Sequence, residues 1–382
     1  MSNTLTNLIP DIYAALDIVS RELVGFIPAV TTDASVDRVA LNQSLRVPIT
    51  PANAAGLNIS PAMSLPSIAD QTIGNASLTI TKTRAFPFSW SGEEQKSINS
   101  VPPEFATLKQ YQIIQAIRAA VNEIETDIAL AAYKAASRAY GTAGTTPFAT
   151  AGDYSDVAQT RKILVDNGAP LSDVSLVMNT AAGASIRGKQ AQNYMYGSDI
   201  LQRQGVLLDI SGMQLRESAA VPTVTKGTGT AYTSSAAGFA VGTTSIPIIT
   251  GSGTVLAGDV ITFSGDSNKY VVTTGVSGPG TIVIAAPGLR QALPASATNM
   301  TIGNSFAANV AFSRNAILLA TRLPAVPTEG DLAKDRTTVT DPLSGLSFEF
   351  AVYPGFRMNV YHVSVAWGVS VIKPEHCAIL LG

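Results

Sequence analysis

The stretch that decides the fold is PPEFATLKQYQIIQAIRAAVNEIETDIALAAYKAASRAY, residues 102–140. Its apolar residues recur at steps of three and four, which places them on one face of a helix: Ile114, Ile117, Val121, Ile124, Ile128 and Ala131. Arg118, Asn122 and Glu125 mark the opposite face, which we expect to be wetter. After the two opening prolines, Gly and Pro are absent from the stretch. The pattern predicts a single helix over 102–140, about 50 Å long, and no second helix of similar length is indicated. We therefore expect a spine lying across a sheet.

Composition limits the function classes. The chain has 382 residues, of which 46 % are hydrophobic and 14 % charged, whereas soluble domains typically carry about 25 % charged residues. Such a surface indicates extensive cover by other protein. The net charge of −2 provides no global field to attract nucleic acid or anionic lipid.

Targeting signals and disulfides are not indicated. Cys377 is the single cysteine, which excludes an intrachain disulfide framework and fits a reducing compartment. The N-terminus carries Asp11 and Asp17 and no basic segment, unlike a secretory signal. No run of eighteen uncharged apolar residues is present, so we expect no membrane-spanning helix and no membrane partner.

The chain before the spine reads as two projecting segments. Residues 3–25 have the pattern of an amphipathic helix that must dock on something. Residues 40–90 are punctuated by prolines around β-type runs such as Leu45–Ile49 and Ser77–Thr83, which predicts a long two-stranded projection. Alternation of Phe86, Phe88 and Trp90 predicts a strand that returns to the core.

The chain after the spine mixes helices and strands. Residues 153–168 predict a helix, Ser175–Met178 a buried strand, and Asn179 the start of another helix, an α+β rather than a doubly wound organisation. Residues 328–341 read as a polar loop, and the C-terminal region as strands, with alternation at Val360, His362, Ser364 and Ala366.

Residues 222–303 differ in composition from their surroundings. Charges nearly vanish and short strands recur between turn signals, which predicts a small antiparallel β-barrel inserted between two α+β segments. The predicted strands are Ser245–Ile249, Asp259–Ser264, Lys269–Thr274 and Thr281–Ala285.

No constellation of catalytic or metal-binding residues emerges. His362 lies within a strand pattern and is expected to be structural, and adjacent His376 and Cys377 suit neither a tetrahedral metal site nor a nucleophile pair. The Gly-rich runs at 251–253 and 278–280 lack a phosphate-binding pattern and read as turns. We therefore expect no catalytic residue, no cofactor and no metal, and a protein that is not an enzyme.

Three groups of charged residues could suggest catalytic or crosslinking chemistry, but each has another interpretation. Glu93 and Glu94 are expected at a solvated helix start. Glu123 and Asp127, one turn apart on the spine, are expected at exposed or interface positions, because a buried carboxylate pair is costly. Lys82 lies in the projection, but no partner Asn or acidic catalyst for a lysine crosslink is identified.

Several motifs, in order, resemble the major capsid proteins of tailed bacteriophages, which share the Johnson fold. The strand-then-Asn segment SLVMNTAAGASI, residues 175–186, is similar to the family's strand leading into a helix, with Thr180 in place of the usual Pro. The run from Arg203 to Ser218 resembles the family's G-x-x-I-x-G-x-x-hydrophobic-R-x-S element. AGDVITFSG and the closing HVSVAWGVSVIKPEHCAILLG resemble the short-tailed lambdoid branch, whose coat proteins carry an inserted β-barrel.

The resemblance implies an α+β capsid fold with a long spine helix, an extended E-loop, an N-arm and an inserted barrel. It implies this division of the chain: N-arm 1–38, E-loop 39–90, peripheral domain 91–152, axial domain 153–221 and 304–350, inserted barrel 222–303, and C-terminal strands 351–382.

The resemblance also implies a function. The subunit would assemble into hexamers and pentamers of an icosahedral shell that encloses double-stranded DNA and matures by expansion. Implied partners are further copies of the chain, a scaffolding protein, a portal protein, a decoration or cement protein, and DNA in non-specific contact. The protein would reside in the virion after assembly in the host cytoplasm.

Other classes remain open from the residues themselves. An encapsulin-type compartment shell has the same fold, and the inserted barrel argues against it. A secreted β-rich adhesin would explain the low charge but not the spine, and an enzyme has no residues to support it.

Overall fold

The computed structural model describes residues 24–49, 61, 73–98, 105–150, 153–192, 207, 209–341 and 344–382. The predicted helix over 3–25 lies almost wholly outside these residues. The described helices are α1 (Gly92–Ile98), α2 (Phe105–Ala135), α3 (Ser155–Asp166) and α4 (Thr180–Gln192). Short 3-10 turns occur at Ile27–Ala29, Arg314–Ala316 and Pro374–His376.

The strands fall into two large sheets and two small ones. The first twelve are β1 (Thr31–Val39), β2 (Ser44–Ile49), β3 (Gly74–Thr79), β4 (Lys82–Ser91), β5 (Arg138–Tyr140), β6 (Val174–Met178), β7 (Gln214–Glu217), β8 (Thr223–Val224), β9 (Tyr232–Thr233), β10 (Ser245–Ile248), β11 (Thr254–Val255) and β12 (Val260–Phe263). The others are β13 (Lys269–Thr274), β14 (Val276–Ser277), β15 (Gly280–Ile284), β16 (Asn299–Ile302), β17 (Phe306–Ser313), β18 (Ile317–Pro324), β19 (Asp335–Thr340), β20 (Ser347–Gly355), β21 (Met358–Val371) and β22 (Cys377–Leu381).

The spine helix is α2, and it ends earlier than the sequence predicts. The helix stops at Ala135 and the chain enters strand β5, which pairs with β22 and β13. Both the amide and the hydroxyl of Ser137 donate to the carbonyl oxygen of Cys377. The prediction of helix to residue 140 is therefore wrong at its end, because a strand 240 residues away in sequence captures the chain. Gly141, which directly follows β5, has a φ of 97°.

The spine packs against both large sheets. Ile117, Ile124 and Ile128 are buried in a cluster that also contains Phe312 of β17 and Trp367 of β21. The apolar stripe predicted from the three- and four-residue spacing therefore faces the core, as amphipathic helices do.

One large sheet has six strands in the order β1-β18-β21-β20-β19, with β4 paired to β21. Within β21 the buried positions are Tyr361, Val363 and every residue from Val365 to Gly368. The segment predicted as a polar loop over 328–341 contains strand β19, which forms six consecutive pairs with β20. That prediction was wrong because its Thr and charged side chains sit on an exposed edge strand, where polar residues are tolerated.

A hairpin leaves this sheet between β1 and β4. Strands β2 and β3 pair antiparallel over six residues each, from Ser44 with Thr79 to Ile49 with Gly74. At its base, Leu78 and Ile80 are buried against β18 and β21. Of the N-terminal region, residues 31–38 lie in β1, which runs parallel to β18.

The other large sheet has twelve strands and includes β6, β17, β22 and β5. It continues into residues 222–303, where β9, β16, β12, β13, β15 and β10 pair in succession. An isolated antiparallel bridge pairs Ile248 of β10 with Ser234, the residue that follows β9. These strands surround a hydrophobic cluster of their own that includes Ile246, Tyr270 and Leu289. All four strands predicted in this region are present, within one or two residues of the expected bounds.

Candidate assembly site on the spine helix

The N-terminal segment is attached to the spine by one buried carboxylate. Glu125 is 2 % exposed. Its Oε1 accepts hydrogen bonds from the amides of Gly25 at 2.6 Å and Phe26 at 2.7 Å, and its Oε2 from the amide of Ile27 at 2.9 Å. The hydroxyl of Ser218, which follows β7, donates to Oε1 at 2.8 Å. Three regions distant in sequence therefore meet at this carboxylate.

The close approach at this point requires glycine at position 25. A Cβ there would lie 2.8 Å from the carbonyl oxygen of Glu217 and 2.9 Å from Cγ1 of Val177. Real Cβ atoms do not approach backbone oxygens so closely, so a larger residue would push the segment away from Glu125.

The strand that follows the hairpin is attached to the spine by ion pairs. The ammonium of Lys82 in β4 lies 3.0 Å from Glu123 and 2.9 Å from Asp127. Arg84 contributes a second cation at 3.2 Å from Glu123. The indole N–H of Trp367 donates to Asp127 at 2.9 Å. The spine is thereby joined to both β4 and β21.

The spacing of Glu123, Glu125 and Asp127 along the spine explains why Glu125 contacts the N-terminal segment while the other two carboxylates pair with β4. Glu123 and Asp127 are four residues apart and share a face, whereas Glu125 is rotated about 200° from Glu123. The expectation that Glu125 marks a wet face is wrong, because the helix packs against two sheets. Glu123 and Asp127, with side-chain exposures of 27 % and 19 %, are partly buried and paired with cations.

Electrostatics favour the charged form of Lys82. Burial lowers the pKa of its ammonium, but hydrogen bonds to Asp127 and Glu123 outweigh burial, so the pKa lies above its ordinary value. The ammonium also lies 5.7 Å from the ring centroid of Trp367. Lys82 therefore forms ordinary ion pairs with the spine helix of its own chain.

The structure also places His362, Cys377 and Glu94, which the sequence analysis considered as candidate functional residues, in packing or helix-capping positions. His362 packs edge-on against Tyr353 at 5.1 Å, and burial lowers its pKa. Burial likewise raises the pKa of the Cys377 thiol, which is fully enclosed. Glu94 is 7 % exposed and accepts from the Ser91 amide, while the Ser91 hydroxyl accepts from the Glu94 amide. This reciprocal pair is a capping box, so the expectation of a solvated Glu94 is wrong.

The Gly-rich runs lie in turns, as predicted. Gly251, Gly253 and Gly278 have positive φ values, and the amide of Gly278 donates to the carbonyl of Gly253. In the described ranges, no group of three or more His, Cys, Asp or Glu side chains is placed to hold a metal ion. No helix among those residues is long and apolar enough to cross a membrane.

Sequence reasoning missed the role of Glu125. The available signal was its position next to Ile124 and one turn before Ala129, both fully buried. A charged residue at such a place requires hydrogen-bond partners, and these come from residues about 100 positions away.

Comparison with known proteins gives one sequence match and many structural ones. Residues 104–245 match the family model described as P22 coat protein, gene protein 5. Comparison with curated proteins finds no match. The capsid structure of cyanophage P-SCSP1u is 11 % identical with a TM-score of 0.52, covering 100 % of this chain and 92 % of that chain.

Other solved structures are similar at lower scores. A chain of Mycobacterium phage Che8 is 10 % identical with a TM-score of 0.48, covering 99 % of this chain and 98 % of that one. A capsid chain of the native GTA particle is 12 % identical with a TM-score of 0.48, covering 100 % and 99 %. By the coat-protein match over residues 104–245 and by the shared fold, the resemblance of this chain to the major capsid proteins of tailed bacteriophages is confirmed.

Proposed function

We propose that this chain is the major capsid protein of a tailed bacteriophage and that it forms hexamers and pentamers of an icosahedral shell around double-stranded DNA. The role is structural rather than catalytic. The coat-protein match and the capsid fold support it. The proposed setting is the virion, after assembly in the host cytoplasm with scaffolding and portal proteins, with maturation by expansion, and with a cement protein as a further partner.

The observation that carries the proposal is the attachment of the N-terminal segment, and of the strand that follows the projecting hairpin, to one long helix. Glu125 fixes the start of the described N-terminal segment, and Lys82 fixes β4, the strand that follows the hairpin. Strands β2 and β3 form a separate two-stranded sheet. An isolated hairpin gains little stability in water, so a neighbouring copy is the partner that would stabilise it.

The division of the chain follows the same proposal. We assign N-arm, E-loop, peripheral, axial and C-terminal segments as the resemblance implies. Residues 222–303 form the inserted domain, supported by their separate hydrophobic cluster. Weak contacts repeated over many copies give a stable shell through multivalency, and a low-charge surface suits crowded subunits.

Shortening the hairpin tests the proposal. Residues 50–73 are replaced by Asn-Gly, which joins Ile49 to Gly74 through a two-residue turn suited to a hairpin. Leu78, Ile80 and Lys82 are retained, because they pack or pair with the body of the subunit. We expect a monomer with unchanged unfolding midpoint that forms no closed shells by electron microscopy. Shells of normal yield and size would refute the proposal.

A further inference from the structure

The end of strand β7 lies at a junction between the N-terminal segment and helix α4. In the described twelve-stranded sheet β7 is an outermost strand, and it pairs in parallel with β6. Because side chains alternate along a strand, Glu217 and the next residue, Ser218, reach opposite faces of the sheet. Glu217 contacts α4, and Ser218 contacts the spine. Two neighbouring residues therefore connect two different layers of the subunit.

On the spine side, Ser218 shares the Glu125 carboxylate with the N-terminal segment. Ser218 is fully buried. Its amide donates to the carbonyl oxygen of Met178 at 3.0 Å, and its hydroxyl donates to Oε1 of Glu125 at 2.8 Å. The same Oε1 accepts from the amide of Gly25. The carbonyl oxygen of Glu217 also lies against Gly25, where a Cβ would approach it to 2.8 Å. The N-terminal segment therefore touches both residues at the end of β7.

On the other side, the carboxylate of Glu217 packs tightly against α4. The Glu217 side chain is 7 % exposed and forms an ion pair with Arg187. It also lies over Gly183, one helical turn before Arg187. A Cβ at position 183 would approach the carboxylate carbon to 2.7 Å and the two carboxylate oxygens to 2.9 and 3.0 Å. Glycine within a helix is less stable than alanine, and at this position it leaves the space that the carboxylate fills.

We propose that Glu217 and Ser218 link these two contacts, so that release of the N-terminal segment from Glu125 also loosens helix α4. Without the segment, Glu125 keeps one of its four hydrogen-bond donors. A buried carboxylate with so few donors is unstable, so Glu125 and Ser218 rearrange and the end of β7 moves. Glu217 cannot follow that movement and keep its contact with Arg187, because its carboxylate already fills the space over Gly183.

The link joins two parts of the subunit that the proposed division separates, the N-arm at 1–38 and the axial residues 153–221. Its consequence for assembly rests on the proposed shell function. A subunit whose N-terminal segment is released from Glu125 presents a loosened axial helix, so assembly favours subunits in which the segment is bound. Coupling between two sites is reciprocal. A disturbance on α4 therefore also loosens the N-terminal segment.

Hydrogen exchange in the full chain tests the link from the side of the N-terminal segment. Glu125→Gln is expected to speed exchange of the α4 amides about tenfold more than exchange of the α3 amides, within the range of about 5- to 150-fold for coupled sites. Helix α3 is the reference because it packs in the same hydrophobic cluster as α4, so a global loss of stability affects both helices equally. Glu123→Gln, on the same helix as Glu125, is the control and is expected to leave the ratio of α4 to α3 exchange unchanged. Equal acceleration of α3 and α4 by Glu125→Gln would overturn the inference.

Two glycine substitutions on α4 test the link from the other side, even where Glu125→Gln folds poorly. Gly183→Ala adds a methyl group where the Glu217 carboxylate lies, and it is expected to speed exchange of the amides of residues 25–27 about fivefold. Gly188→Ala is the matched control on the same helix, because its Cβ meets nothing within 4 Å, and it is expected to leave those amides unchanged. Unchanged exchange at residues 25–27 in Gly183→Ala would contradict the link. If the expected exchange pattern appears but the unmodified chain forms no closed shells, the shell function fails while the link stands.

Discussion

Replacing Glu125 by Gln is expected to loosen the N-terminal segment and to destabilise the whole subunit. The carboxylate accepts four hydrogen bonds in a buried site, three of them from consecutive backbone amides. Hydrogen bonds to a charged partner contribute about 1.5–3 kcal/mol each, and a buried donor left unpaired costs about 1–3 kcal/mol. Gln keeps one accepting oxygen and turns an NH₂ group toward the remaining donors. We expect a loss of about 2–3 kcal/mol in the free energy of unfolding.

The assay is equilibrium unfolding in urea, followed by the fluorescence of the two tryptophans. Trp90 and Trp367 are 5 % and 0 % exposed, so both report the loss of the core. The expected loss corresponds to a folding constant about 30- to 150-fold lower. Hydrogen exchange at residues 25–27 gives the local counterpart, because these amides are protected by Glu125 in the native chain.

Glu123→Gln is the matched control, two residues away on the same helix. Glu123 pairs with Lys82 and Arg84 at a partly exposed position, where an ion pair contributes at most about 1 kcal/mol. If Glu125→Gln and Glu123→Gln destabilise the chain equally, within about 0.5 kcal/mol, the attachment of the N-terminal segment through Glu125 is refuted.

Four further outcomes follow from the same structure. Gly25→Ala is expected to destabilise the chain by about 1–3 kcal/mol through steric overlap, while Gly74→Ala, which meets nothing within 4 Å, leaves the urea midpoint nearly unchanged. Lys82→Met is expected to lower stability by about 1 kcal/mol at low salt, with a smaller difference in 1 M NaCl because salt screens ion pairs. The Cys377 thiol, whose pKa burial raises, is expected to resist a thiol reagent at pH 8 until urea unfolds the chain. Residues 222–303, expressed alone, are expected to fold cooperatively, measured by circular dichroism and thermal unfolding.

Each of these four predictions would be contradicted by a specific result. Equal destabilisation by the two glycine substitutions would remove the steric argument at Gly25. A Lys82→Met effect independent of salt would show that the ion pairs contribute nothing. Thiol modification of the native chain at the unfolded rate would place Cys377 outside the core. A disordered spectrum for residues 222–303 would show that this region depends on the rest of the subunit.

Much of the fold could be predicted from the spacing of apolar and turn residues along the sequence. The apolar spacing of Ile117, Ile124 and Ile128 predicted the spine and its buried face, and Asn179 predicted the start of α4, where its side-chain oxygen accepts from the Ala182 amide. The strands of 222–303 were predicted because turn residues separate them clearly. These features depend on residues close together in the chain.

The errors arose where distant residues decide the structure. The segment after Ala135 has helix-forming residues, but β22 supplies backbone partners that a helix would leave unused. Strand β19 has the composition of a loop, and its pairing with β20 is not encoded in its own residues. Glu125 was assigned to water because its partners Gly25 and Ser218 lie about 100 residues away in both directions.

Electron microscopy of the purified full-length chain, concentrated and with a coexpressed scaffolding protein, tests the central claim most directly. We expect closed icosahedral particles in which the hairpin of each subunit lies on a neighbour. A compact monomer at every concentration, with its hairpin folded on its own body, would contradict it.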